Sequence, residues 1–290
     1  MGVSGSATDA GFEFASAFGL VIFAAHSGRP ANVDKMPGRL GGIAGGMIAM
    51  ACSVTVNRPR RVGVTVPAKD EQESIGACLS SIAEAARHVR IPVAVVAVLD
   101  NCTDGSVDSV RRFASSAKHL HVEYREVLAD SVGRARRLGM AELISLLGVA
   151  DTWLATTDAD SVVPPHWLST QLRHAADGAR VVVGTVTVDD WGERSPGLRD
   201  RAVRRYGDNL NHHRHVHGAN LSFSAAAYLA AGGFRDQCSD EDVAIVQSFR
   251  TNSEPIAWAI DLPVATSARR EARAPAGFAA YLTALESETS

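Results

Sequence analysis

The chain has 290 residues, 46% of them hydrophobic, enough for one large or two small domains around a full apolar core. Its net charge of −3 and pI near 6.4 give no overall electrostatic reason to expect a nucleic acid or an anionic membrane as partner, and leave a small or polar ligand as the natural one. The four cysteines, Cys52, Cys78, Cys102 and Cys238, form no C-x-x-C pair, which excludes the usual disulfide framework and zinc ribbon and predicts reduced thiols in a cytoplasmic protein.

Residues 1–58 are rich in Gly and Ala and carry two uncharged stretches, Phe14 to Ala25 and Leu40 to Val56. Neither reaches the roughly 20 solidly apolar residues of a spanning helix. No Lys or Arg precedes Arg29, so the positive start of a signal peptide is missing. These residues are expected to be a poorly ordered extension, with membrane association as the alternative.

From Val62 the pattern becomes regular. VGVTVP predicts a strand, followed by a helix over Glu73 to Val89 with Ile75, Leu79, Ile82 and Ala86 at spacings of three and four. PVAVVAVLD predicts a second strand ending in Asp100, then a helix over Val107 to Lys118 and a third strand, HVEYREV. A helix over Gly133 to Leu147 precedes TWLATTD, a buried strand ending at Asp158, and Pro164-Pro165 suits the first turn of a helix through Ala176. VVVGTVTVDD predicts a strand, Arg199 to His212 a polar helix or arm, VHGANLSFS a strand, Ala225 to Ala231 and Asp242 to Arg250 helices, and IAWAIDLPV a last strand. Strands alternating with helices imply an α/β fold with a doubly wound, mostly parallel sheet. No linker separates its parts, so residues 59–290 are expected to be one domain, with 59–183 and 184–290 as its two halves.

Four acidic motifs sit where an apolar run meets a turn or helix start: VPAKDE, LDNCTD, TTDAD and SDEDV. Strands could deliver all four to one edge of a single sheet, which is how an open α/β sheet builds a ligand site. Together with VHGANLSFSAAAYLAAGGF, in this order, they resemble a family-2 glycosyltransferase of the GT-A fold, over about residues 61 to 285. The resemblance implies transfer of a sugar from a UDP-, GDP- or dTDP-sugar to a hydroxyl or similar acceptor, with inversion and a divalent cation, Mn²⁺ or Mg²⁺. A nucleotidyltransferase on a related sheet would show a glycine-rich phosphate loop with Arg and Lys after its first strand, which VPAKDEQES lacks. A catalytically silent nucleotide-sugar-binding protein is the remaining alternative, against which the presence of both Asp160 and Asp242 argues.

The chemistry fits these residues independently. A departing diphosphate develops negative charge that a hard cation held by carboxylates can neutralise. Asp158 and Asp160 are two apart and would point the same way in extended backbone; either could instead begin the following helix. Matched to the family motif, Asp160 binds the metal and Asp158 the ribose or the metal. By the same resemblance Asp100 accepts a hydrogen bond from the base, while Pro67, Ala68, Asp70 and Glu71 wall base and ribose. Asp104 contests with a plain helix-entry turn, because Asn, Asp and Gly build such turns without a ligand.

In SDEDV the family assigns Asp242 as the general base, with Glu241 beside it, and Ser239 with Asp242 is also a capping-box-like pattern. A helix N-terminus would stabilise the ionised base. VGRARRLGM places Arg134, Arg136 and Arg137 at a helix start resembling the family's glycine-plus-ARN-G stretch, with Arg137 where Asn is usual; Arg136 would face the diphosphate, or the three form a solvated basic face. His212, His213, His215 and His217 crowd one segment, but their spacing matches no common structural zinc site. That arm is expected to line the acceptor pocket, with His217, Gly218, Ala219 and Asn220 at the strand start. No His follows His217 to serve as a late metal ligand, so Asp160, the diphosphate and water would hold the cation.

Overall fold

β1 (Arg61–Ala68) and β2 (Val93–Asp100) are buried at every position but the first, the pattern of central parallel strands covered on both faces. The computed structural model containing them describes residues 58–192, 194–210, 215–269 and 278–287. The Gly/Ala-rich extension up to residue 57, and His212 and His213, lie outside the described residues. Seven strands form one sheet, completed by β3 (His121–Val127), β4 (Thr152–Thr156), β5 (Val181–Thr187), β6 (Leu221–Ser224) and β7 (Ile256–Ala265), in the order β3-β2-β1-β4-β6-β5-β7. The pairs β1–β2, β1–β4, β2–β3 and β5–β7 are parallel, and β6 runs antiparallel to both β4 and β5.

Alternate residues of β2 serve the two faces. Val95, Ala97 and Leu99 join the apolar cluster built with α1 (Ile75–Arg87) and α4 (Trp167–Ala176), whereas Ala94, Val96 and Val98 join the one that takes in α3 (Val132–Leu147) and α7 (Glu241–Thr251). α2 (Ser106–Ser116) packs on the first face and α6 (Ala225–Ala230) on the second. A third, small cluster joins α5 (Pro196–Leu210) to α8 (Phe278–Ser287) through Leu198, Ala202, Leu282 and Leu285.

The chain leaves β1 for β2 and β3 on one side and returns to β4 on the other, so the strand order reverses between β1 and β4. Ligands of open α/β sheets bind outside the carboxyl ends of the strands at that reversal. α3 lies close over β1: a Cβ at Gly139 would overlap the Thr65 hydroxyl, so only glycine lets the helix sit at this depth. Its start is fixed by Ser131, whose Oγ accepts from the Arg134 amide at 3.2 Å.

The predicted elements are found within two residues or so at most boundaries. The differences fall at the acidic motifs. β4 stops at Thr156, and Asp158 and Asp160 lie in a turn closed by the Ser161 amide on the Asp158 carbonyl at 3.0 Å, so extended backbone does not align them. Neither caps α4, whose N-cap is His166. Gly218–Asn220 form a 3₁₀ turn ahead of β6 where continuous strand was expected, and α8 had no counterpart in the sequence reading. The N-cap position of α7 is Asp240, in left-handed backbone with φ 60° and no side-chain capping bond, and not Ser239, so the capping-box pattern is not used. Among the described residues, no helix is long and apolar enough to cross a membrane.

Candidate active site

β1 ends with Pro67 and Ala68, both buried, and hands the chain to Asp70 and Glu71 at the reversal of strand order. Asp70 turns the backbone with φ 53°, a conformation Asp tolerates better than most residues, and its Oδ1 accepts from the Thr103 amide at 2.7 Å. Gln72 continues the stitching: its amide donates to Asp104 Oδ2 at 3.0 Å and its Oε1 accepts from the Gly105 amide at 2.8 Å. Asp104 also accepts from the Ser106 amide at 2.9 Å, so it builds the entry turn of α2. Asp70, Cys102 and Asp104 bring one potential ligand atom each within 4.8 Å of one another, but both carboxylates are engaged with the loops. Asp100 ends β2 nearly buried, and its Oδ1 accepts from the amides of Ala129 at 2.7 Å and Asp130 at 3.3 Å. It therefore braces the loop into α3 as well as standing at the sheet edge.

Arg136 is the pivot of the site. Its side chain is 4% exposed, pairs through Nη1 with Glu241 and through Nη2 with Asp158 Oδ1 at 2.5 Å, and lies 5.9 Å from the Phe234 ring centroid. The backbone of Gly218 covers the guanidinium so closely that a Cβ there would overlap it. Arg136 thus joins the TTDAD turn to the start of α7. Glu241, with a side chain 5% exposed, is bound to that guanidinium and not presented as a base.

Asp160 is more deeply set than Asp158, its side chain 11% exposed against 37%. It pairs with Arg269 Nη2 at 2.9 Å, and Arg269 Nη1 donates to Glu71 Oε1 at 2.7 Å. Burial first, and then the negative charge of Asp158, push the Asp160 carboxyl up to about 6, against the pull of Arg269. The Cys78 thiol donates to the Asp158 carbonyl at 3.3 Å and is pushed up by burial and by the charges of Asp158, Asp160 and Glu71. Sequence reasoning missed Arg269. It lies beyond the last recognised motif in SARREAR, where nothing in the pattern separates it from Arg270 or Arg273.

On the other side of Arg136, Asp242 sits in the first turn of α7. Its Oδ2 accepts from the Gly218 amide and its Oδ1 from the Val243 amide, each at 2.7 Å. Burial raises the Asp242 carboxyl above the usual range, opposed by Arg136 and the two amides and aided by Asp158. His217 leads into the 3₁₀ turn, its ring stacked on His215 at 6.1 Å. Ala219 is buried in that turn. Asn220 is 1% exposed, and its side chain is spent internally: Nδ2 donates to the carbonyls of Thr185 at 2.8 Å and Leu262 at 2.6 Å, and Oδ1 accepts from Trp167 Nε1 at 2.9 Å. It ties β5, β7 and α4 together and offers an acceptor no side-chain contact.

At this edge five carboxylates, Glu71, Asp158, Asp160, Glu241 and Asp242, face two guanidiniums, Arg136 and Arg269. The negative excess and the oxygen donors suit a hard divalent cation, which protein carboxylates and substrate phosphates typically hold together. A mostly parallel sheet with acidic loops converging at its switch point is the arrangement of the GT-A fold.

Residues 64–231 match the family described as Glycosyl transferase family 2, and the chain belongs to that family. Over 97 residues it is 28% identical to the glucosyl-dolichyl phosphate glucuronosyltransferase of Haloferax volcanii, which is 30% of this chain and 31% of that protein. Its fold is similar to the mannosyltransferase PcManGT from Pyrobaculum calidifontis, in complex with GDP-Man and Mn²⁺, with TM-score 0.56 and 21% identity over 74% of this chain and 58% of that one. It is also similar to S. aureus TarS 1-349 in complex with UDP-GlcNAc, with TM-score 0.54 and 15% identity over 75% of this chain and 61% of that one. The chain thus spans less than two thirds of each of these relatives.

Proposed function

We propose that the protein transfers a sugar from a nucleoside-diphosphate donor to an acceptor hydroxyl, with inversion at the anomeric carbon. The observation that carries this reading is the placement of the TTDAD turn and the start of α7 on either side of buried Arg136, through Asp158 and Glu241, with Asp160 and Asp242 in those two segments both held above the ordinary carboxylate range. Pro67, Ala68, Asp70, Glu71 and Asp100 wall the base and ribose, and Asp158 lies at the ribose side of Asp160. Asp160, with Asp158, would hold Mn²⁺ or Mg²⁺, whose charge offsets the one that develops on the leaving diphosphate.

Asp242 acts as the general base. Each of its oxygens receives one backbone amide and keeps a second lone pair for the acceptor hydroxyl. As the hydroxyl oxygen bonds to the anomeric carbon, its proton passes to Asp242 and the bond to the diphosphate breaks on the opposite face. A carboxylate lifted by burial is a stronger base than an exposed one. Arg136 keeps the start of α7 and the TTDAD turn at a fixed separation, and so sets the spacing of base and leaving group. His217, Gly218 and Ala219 line the acceptor side. Residues 59–183 supply the donor half and 184–290 the acceptor half of one domain, with residues 1–58 as an extension, in a cytoplasmic protein with reduced Cys78, Cys102 and Cys238.

The testing experiment is a screen for slow donor hydrolysis over UDP-, GDP- and dTDP-sugars with Mn²⁺. One donor class should release nucleoside diphosphate; release from none, by a folded protein, would refute the reading.

A further inference from the structure

The carboxylate suited to a cation already holds a cation of the chain's own. Arg269 spans Asp160 Oδ2 at 2.9 Å and Glu71 Oε1 at 2.7 Å, and both carboxylates are nearly buried, so each would be costly to leave without a counter-charge. Arg269 comes from the segment after β7, in the half of the chain opposite Glu71 and Asp160. The backbone of that segment is pinned. Arg194, its side chain 1% exposed, donates from Nε to the Ala268 carbonyl and from Nη2 to the Arg269 carbonyl, each at 2.7 Å. The same guanidinium bonds Glu286 and Thr283 of α8, both at 3.2 Å. Arg269 therefore has a fixed root and a long side chain, 28% exposed, that can turn without moving the backbone.

We propose that Arg269 is an exchangeable counter-ion of the donor site. In this structure its guanidinium occupies Asp160. When a divalent cation takes over that carboxylate, Arg269 turns from Asp160 onto the diphosphate of the donor, with Glu71 keeping it at the rim. The planar fork that now spans two carboxylates is equally matched to two phosphate oxygens. This rests on the reading of Asp160 as cation ligand and of a nucleoside diphosphate as donor.

The exchange has a signature that a structural prop lacks, because removing Arg269 acts in opposite directions on two affinities. The cation loses a competitor for Asp160, and the diphosphate loses a partner. Calorimetry with Mn²⁺ alone, and with UDP or GDP in saturating Mn²⁺, measures both on the full chain. Arg269→Ala should bind Mn²⁺ about tenfold tighter and the nucleoside diphosphate about tenfold weaker, the scale of one charge-assisted hydrogen bond. Arg269→Lys keeps the charge without the fork, so Mn²⁺ affinity should stay near wild type while nucleotide affinity falls.

Two affinities that fall together, or that both stay unchanged, in an Arg269→Ala protein that melts like wild type would overturn the exchange. Where the alanine variant melts early, the lysine variant decides, and wild-type nucleotide affinity in it would refute the proposal. A wild-type protein that binds neither Mn²⁺ nor nucleoside diphosphate would instead remove the functional reading itself, and the exchange with it.

Discussion

Replacing Asp242 with Asn separates proton transfer from architecture. The carboxylate accepts two backbone amides, from Gly218 and Val243, and both bonds are short at 2.7 Å. Asparagine offers one oxygen, so one amide loses its acceptor, a cost of about 1.5–3 kcal/mol for a bond to a charged group. Against that, burial disfavours the ionised carboxyl, and the amide escapes this penalty. The net loss should be about 1–2 kcal/mol, a fall of roughly 2–8 °C in Tm for a domain of this size. Turnover should fall by roughly 10² to 10⁴, the worth of a positioned general base, while donor affinity holds. Single-turnover transfer, calorimetry and thermal melting on the same variant distinguish the three quantities.

The pH dependence carries a definite sign. The folded Asp242 carboxyl is raised, so its contribution to stability is fully present below the unfolded value and is lost as pH rises through the folded one. Over that same rise wild-type transfer should increase, because the base becomes ionised. Asp242→Asn should lose this limb of the rate profile and show a shallower decline of stability. A folded Asp242→Asn enzyme within tenfold of wild-type turnover would refute the assignment.

Asp100→Ala should cost about 2–4 kcal/mol, because the amides of Ala129 and Asp130 lose their acceptor beside a buried strand end, and an unchanged melting temperature would contradict this. Gly218→Ala drives a Cβ into the Arg136 guanidinium, so transfer should drop at least tenfold through the displaced Glu241 and Asp158; transfer at the wild-type rate would show that the contact is slack. Residues 1–57 are rich in Gly and Ala and show no helical stripe, so their deletion should leave a cooperatively melting protein that still binds donor, and loss of that transition would contradict the division of the chain.

Period and composition placed most strands and helices because the central ones are apolar on both faces, as in VAVVAVLD, or striped, as in α1. The acidic motifs were visible as residues at strand ends, and TTDAD and SDEDV do meet across Arg136. What the sequence could not convey is which charges cancel. Arg136 reads as one of three basic residues on a helix, and only the approach of α7 and the glycine backbone at 218 bury it between two acids. Asn220 sits in a motif-like GAN, yet its amide is consumed by carbonyls from two strands far apart in the chain. Arg269 reaches Glu71 across 198 positions, beyond any local pattern. The same long-range pairing ties α8, which the sequence pattern did not reveal, to the chain 92 positions earlier, where Arg194 matches Glu286.

In the proposed function the TTDAD turn binds a nucleoside diphosphate through a divalent cation on Asp160. Calorimetry of UDP and GDP binding with and without Mn²⁺, on wild type and Asp160→Ala, measures it directly. Wild type should bind one of the two nucleotides more tightly with Mn²⁺, and Asp160→Ala should lose that gain while remaining folded. The same Mn²⁺-dependent gain in both proteins would contradict the account.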